Sequence, residues 1–285
     1  MSGYILCQVK RARLPYYIEN ISTNIYSIEE LCFYLYHNIY LLDSTILNEE
    51  LCFWIRDELG LKKLAQKLYS LLDDEVKVGD FILPIFKEIN YLSLEEFRRL
   101  NQQIQKIAQE PEVLRQKLKG DYLMEHGKYV NAIKVYQKAL FEKQEKHSSE
   151  QDQLGGQFVG GIYHNMGCAY ARLFQMEEAI GCFSKAYEHL RTMGSIKSYL
   201  YAVYMERGEE GFEKKARELS VEGEQREEIL GEIKKTAGEI YETRDGQDYI
   251  KVLAEKRQGH QDAYHKMLDD MLLRMTKEYH RSTGY

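Results

Sequence analysis

Residues 118–143, LKGDYLMEHGKYVNAIKVYQKALFEK, and residues 163–190, YHNMGCAYARLFQMEEAIGCFSKAYEHL, are two copies of one pattern. Ala132 follows Gly120 by 12 residues and Ala179 follows Gly167 by 12, while Ala139 and Ala186 follow the same glycines by 19. Tyr136 and Phe183 each stand four residues after the first alanine. Antiparallel helices approach closely only where Gly or Ala faces the partner, and an aromatic one turn further on fills the groove beside it. The offsets therefore predict two antiparallel helix pairs over residues 112–192, with Gly120 against Tyr136 and Gly167 against Phe183.

The pattern resembles the tetratricopeptide repeat, whose consensus runs W-x2-L-G-x2-Y, then A-x3-F, then P. The second copy carries Tyr163 in the Trp place, Met166 for Leu, then Gly167, Tyr170, Ala179 and Phe183. The first keeps Gly120, Ala132 and Tyr136 but has Gln116 and Lys119 for Trp and Leu, and Gln144 and Arg191 stand where the closing Pro would fall. From Gly120 to Gly167 is 47 residues, against the usual 34 or so. The excess is assigned to a longer helix end plus the polar loop His147–Gly156. A third, degenerate helix pair is expected over Ser195–Ser220, with Gly208 at its turn and Tyr201 and Tyr204 on its first helix.

The resemblance implies an all-α chain: an antiparallel helix-pair superhelix over 111–220 (copies at 112–145, 159–192 and 195–220), behind an N-terminal helical domain with a small β-hairpin. It also implies a function, since the first helices of such repeats line a concave groove that takes a peptide. On this sequence that face carries Lys117, Asp121 and Glu125 from the first copy, and His164, Asn165, Cys168 and Arg172 from the second. The family's clamp for a C-terminal carboxylate is matched at Lys117 and Asn165, but Asp121 replaces its second member and would repel a carboxylate. A mixed-charge peptide is the expected partner.

Upstream, residues 1–110 read as a separate domain. Tyr4-Ile5-Leu6-Cys7 and Tyr16-Tyr17-Ile18 are β-prone runs that predict the hairpin. Helices are expected at about 28–42, 49–59, 61–72 and 78–91, with Asn48 as an N-cap and Gly60 and Gly79 as breaks. Ser27 with Glu30, and Ser93 with Glu96, have the spacing in which hydroxyl and carboxylate close a helix N-terminus. The helix opened by Ser93 runs to about Gln109, and Glu110-Pro111 marks the boundary. Downstream, residues 221–285 read as capping helices broken near Asp245-Gly246. A stripe of Tyr264, Met267, Leu268, Met271, Leu272 and Met275 predicts burial against the last repeat or, in a homodimer, against a second copy.

Composition sets the outer limits. The 285 residues are 44% hydrophobic, enough for a core, and 3 Pro leave long helices uninterrupted. A formal net charge of −6 makes the whole molecule a poor electrostatic match for nucleic acid. Five scattered Cys without a C-x-x-C fit a reducing compartment, and the most apolar stretch, Leu31–Leu42, is too short to span a membrane. With no signal-peptide pattern at the N-terminus, a cytoplasmic protein without membrane contact is expected.

Enzyme chemistry finds little support in the residues, and neither cofactor nor metal is expected. His164 and Cys168 share a helix face but are too few for a metal and lack an orienting third group for a nucleophile. His260 and His265 fall on different faces. Gly155–Gly161 looks like a phosphate loop but has no preceding strand and no following Lys-Ser/Thr, which leaves a flexible helix entry or a mobile segment. The carboxylates Asp73-Asp74-Glu75, Glu209-Glu210 and Asp269-Asp270 read as solvated. The alternative function is DNA contact through 49–72, a helix, Gly60 and a second helix with Lys62, Lys63 and Lys67. A repeat stack behind such a reader resembles the peptide-sensing transcription regulators of Firmicutes. The single residue between the two helices, where that motif uses three to four, argues against it.

Overall fold

The structure is a computed structural model that describes residues 10–72, 76–145 and 155–283, without the side chains of 142–145 and 281–283. The run Tyr4–Cys7, the acidic run Asp73–Glu75 and most of the 147–156 loop lie outside the described residues. The chain is mostly helical, with one two-stranded antiparallel sheet near its N-terminus. It divides into two compact units, one ending at Tyr122 and the other beginning at Leu123.

In the first unit, β1 (Tyr16–Ile18) pairs with β2 (Thr23–Ile25), Tyr16 opposite Ile25 and Ile18 opposite Thr23. The described hairpin is thus made by Tyr16–Ile18 with the segment just after it, and the expected run Tyr4–Cys7 lies outside the described residues. The reason is local, because Tyr16, Ile18 and Ile25 turn inward and a 3-10 turn at Glu19–Ile21 closes the hairpin at once. Next comes α1 (Ile28–His37), capped by Ser27, whose hydroxyl accepts from the Glu30 N–H at 3.1 Å. This helix stops five residues short of expectation. The Asn38 side chain donates to the Tyr34 carbonyl at 2.8 Å, an alternative to continued helix, and two 3-10 turns follow.

The remaining helices here are α2 (Glu49–Asp57), α3 (Lys62–Leu71), α4 (Val78–Glu88) and α5 (Leu94–Gln109). Asn48 caps α2 through Leu51 N–H at 2.8 Å, and Ser93 with Glu96 forms a complete capping box on α5. Gly79 is no break: it lies inside α4, where an added Cβ would stand 3.0 Å from Ile104 Cγ2 of α5. Ile28, Leu35, Leu51, Ile55, Leu68 and Phe81 are fully buried. α6 (Glu112–Glu125) follows Pro111, and the division between units falls inside it.

The second unit contains α7 (Tyr129–Glu145), α8 (Gly156–Arg172), α9 (Met176–Leu190), α10 (Met193–Glu218), α11 (Gly223–Glu239), α12 (Arg244–Gln258) and α13 (Gln261–Thr283). Each helix from α7 to α11 packs on the next in sequence, α12 packs on α13, and α13 reaches back to α7. α8 and α9 are antiparallel, because Gly160 lies against Leu190 while Gly167 lies against Phe183. The expected Gly167–Phe183 contact is thus present. The repeated small and aromatic positions Ala132, Tyr136, Ala139, Ala179, Phe183 and Ala186 are all buried. α10 is two helical segments meeting at Gly208, whose φ of 66° and ψ of −165° no helix interior allows, so the turn expected there exists.

Two expectations fail in this unit. Gly156–Gly161 is the first turn and a half of α8, not a loose entry, and Gly160 is needed there because a Cβ would sit 2.6 Å from Leu190. The stripe on α13 is not buried. Tyr264, Met267, Leu268 and Met271 are half-buried, while Leu272 and Met275 are exposed. The apolar arc is wider than the contact one neighbouring helix provides, so only one edge of it is covered.

Candidate functional site

The expected peptide face begins on α6. Lys117 and Asp121 stand one turn apart and form an ion pair with each other, both half-buried. The i, i+4 spacing carried that signal in the sequence. Glu125, a turn further and in the second unit, is exposed.

On α8, His164, Cys168 and Arg172 recur every four residues along one face, with Asn165 beside them. His164 Nε2 lies 3.7 Å from Cys168 Sγ, and its ring meets Phe183 edge-on at 5.5 Å. Burial pushes the His164 imidazole below its ordinary value and the Cys168 thiol above its own, against a smaller opposing pull from Arg172. At neutral pH the pair is thiol and neutral imidazole, the reverse of the shift that activates a cysteine nucleophile. Asn165 donates to the Tyr136 hydroxyl of α7 at 3.3 Å, which makes it a link between helices. Arg172 is exposed.

α10 carries a second row that sequence reasoning did not single out. Lys197, Tyr201 and Met205 have the spacing of His164, Cys168 and Arg172, each 33 residues later. Lys197 pairs with Glu232 of α11 at 2.9 Å and with Glu228 at 3.3 Å, and Tyr201 donates to Glu232. Burial and the neighbouring carboxylate push Tyr201 up to about 12, whereas hydrogen bonds from Tyr201 and Lys197 hold Glu232 below its ordinary value. Met205 remains exposed. No residue type is shared between the two rows, so nothing in the sequence marked the second.

The rival surface also changes on inspection. α2 ends at Asp57 and α3 starts at Lys62, so four residues join them instead of one, and Lys62, Lys63, Gln66 and Lys67 are exposed on α3. The objection from turn length is removed. Leu64, Ala65 and Leu68 face inward.

Among the described residues, Glu209-Glu210 and Asp269-Asp270 are exposed, and no group of three or more His, Cys, Asp or Glu is placed to hold a metal. No helix among them is long and apolar enough to cross a membrane. No protein-family model, curated protein or solved structure matches the chain.

Proposed function

We propose that the chain is a non-catalytic, tetratricopeptide-like scaffold in which the first-helix face of α8, continued by α10, takes a peptide segment of another protein. The observation that carries this is the packing of α8 on α9 at the consensus positions, Gly167 against Phe183, with His164, Cys168 and Arg172 in one row on α8 and Lys197, Tyr201 and Met205 in another on α10. These positions are half-buried or exposed while the second-helix positions Ala179, Phe183 and Ala186 are sealed. Arg172 and Met205 offer a cation and an apolar anchor, which suits an acidic and apolar mixed peptide. The free thiols Cys32, Cys52, Cys168 and Cys182 favour work in the reducing cytoplasm.

The test is selection from a displayed random-peptide library on the intact protein, with binding of the enriched peptides then measured on Arg172→Glu with Met205→Glu. Both side chains are exposed, so the fold is kept. Loss of binding in the double variant is the expected result. Enriched peptides that bind it unchanged would move the site elsewhere. Asn165→Ala is a poorer probe because it also cuts the link to Tyr136.

The four-residue turn and the exposed lysines of α3 favour a second reading, DNA contact through α2 and α3. A salt-dependent mobility shift with Lys62→Glu, Lys63→Glu and Lys67→Glu decides it. A true phosphate contact lowers the salt slope by about 1 for each lysine lost.

A further inference from the structure

We propose that α13 is a reversible strap, hinged at Gly259 and closed by Tyr279, that covers an apolar seat at the edge of α7 and α8. The hinge is a helix stop: Gly259 takes a φ of 77°, and the His260 N–H donates to the Glu255 carbonyl at 3.1 Å to end α12. From there α13 runs 23 residues, and none of its described side chains is buried. Along α12 it is held by one half-buried edge and by Arg274, which donates to Asp245 at 2.8 Å and Asp248 at 3.2 Å. Its far end reaches α7. There Tyr279 lines a cavity of about 200 Å³ together with the apolar Val130, Ile133, Tyr170 and Leu173 and the polar Lys134 and Gln175, while Tyr279 itself stays 57% exposed.

Elements with few buried apolar contacts open locally, at lower free energy than the whole unit. α13 meets that condition, whereas α8, α9 and α10 share a sealed cluster including Ala179, Phe183 and Val203. The strap therefore swings at Gly259 with the repeats intact, and its release uncovers Ile133 and Tyr170. Once released from α7, α13 is a lone helix that frays in water, so its amides exchange as the strap opens. It goes beyond the peptide-face reading, since the seat shares the end of α8 with Arg172 but is built from Tyr170 and Leu173, which that reading does not use.

Hydrogen exchange and hydroxyl-radical footprinting on the full chain test it. Amides of 261–280 should exchange at least about tenfold faster than those buried in α8 and α9 of the wild type. Tyr279→Ala should speed α13 further and raise oxidation of Tyr170 severalfold, with the exchange of α9 unchanged. Arg274→Ala, which loosens the other anchor, should act in the same direction. Exchange of α13 in step with α8 and α9 would overturn the strap. Unaltered Tyr170 oxidation in Tyr279→Ala would overturn the latch. Neither outcome bears on peptide selection with the Arg172 and Met205 variants, so the two ideas fail separately.

Discussion

Two glycines of one helix, substituted identically, isolate the packing on which the repeat depends. Gly161 and Gly167 both lie in α8, so replacing either by Ala gains the same backbone preference, about 1 kcal/mol. Their surroundings differ. At Gly161 an added Cβ meets nothing within 4 Å, whereas at Gly167 it would stand 2.7, 2.8 and 2.9 Å from three atoms of the Phe183 ring. That ring is only 4% exposed and has His164 against it, so it has little room to yield. Overpacking of this kind costs about 1–3 kcal/mol, which is therefore the expected difference between the two variants. For a unit of this size it corresponds to roughly 3–9 °C in melting midpoint, read by helical circular dichroism, with Gly161→Ala above wild type. Phe183→Leu should be tolerated better in Gly167→Ala than in wild type, a coupling of about 1 kcal/mol. If the two alanine variants melt together, α8 and α9 do not touch at Gly167, and the reading of residues 112–192 as close-packed pairs is wrong.

Asp43→Asn leaves the Lys119 ammonium, itself 6% exposed, without its carboxylate at 2.6 Å, and should cost about 3–5 kcal/mol at pH 7 by urea unfolding. Burial alone would raise the Asp43 carboxyl, but the charge and hydrogen bond of Lys119, with Thr45, outweigh it and hold it below its ordinary value. A depressed folded pKa means the stabilisation is complete above the unfolded value near 3.9 and is lost as pH falls through the folded one. The gap between wild type and Asp43→Asn should accordingly close in acid, and a gap that stays constant down to about pH 2 would contradict the pairing. Ser93→Ala removes the hydroxyl that accepts from Glu96 N–H and should lower stability by about 1 kcal/mol, whereas an unchanged urea midpoint would show the cap to be idle.

Much of the helical order was legible because its signals are local. Asn48, Ser93 and Pro111 each sit within a residue of a helix end, and the small residues that mark the repeat need only a constant offset to be seen. What escaped depended on distant partners. Gly79 reads as punctuation until Ile104 of α5 is beside it, and the end of α1 at His37 rests on one side-chain bond from Asn38. The stripe of α13 predicted burial, yet its better-covered edge is only half-buried, since periodicity shows that a face is apolar and not how wide its neighbour is. On the candidate face, His164, Cys168 and Arg172 came from the resemblance to the tetratricopeptide repeat, and their four-residue spacing sets them in one row on α8. Lys197 and Tyr201 did not, because their meaning comes from Glu232 of α11, 31 residues beyond Tyr201.

The departures of the first copy from the repeat consensus have a common cause in the first unit. Where the consensus places Trp and Leu, α6 carries Gln116 and Lys119, which are 4% and 6% exposed. Such residues are seldom buried without partners. Gln116 donates to Glu112 at 2.5 Å, Lys119 reaches Asp43, and Tyr122 donates to the His37 carbonyl and to Asn38 Oδ1, both at 2.9 Å. That side of α6 is therefore matched to polar groups at the end of α1 and in the turns after it, not to the apolar flank of a preceding repeat. A Leu at Lys119 would restore the consensus but strand the Asp43 carboxylate. The positions shared by the two copies, Ala132, Tyr136 and Ala139, are buried in the second unit, whereas Gln116 and Lys119 differ from the consensus where α6, through Lys119 and Tyr122, meets the polar groups of the first.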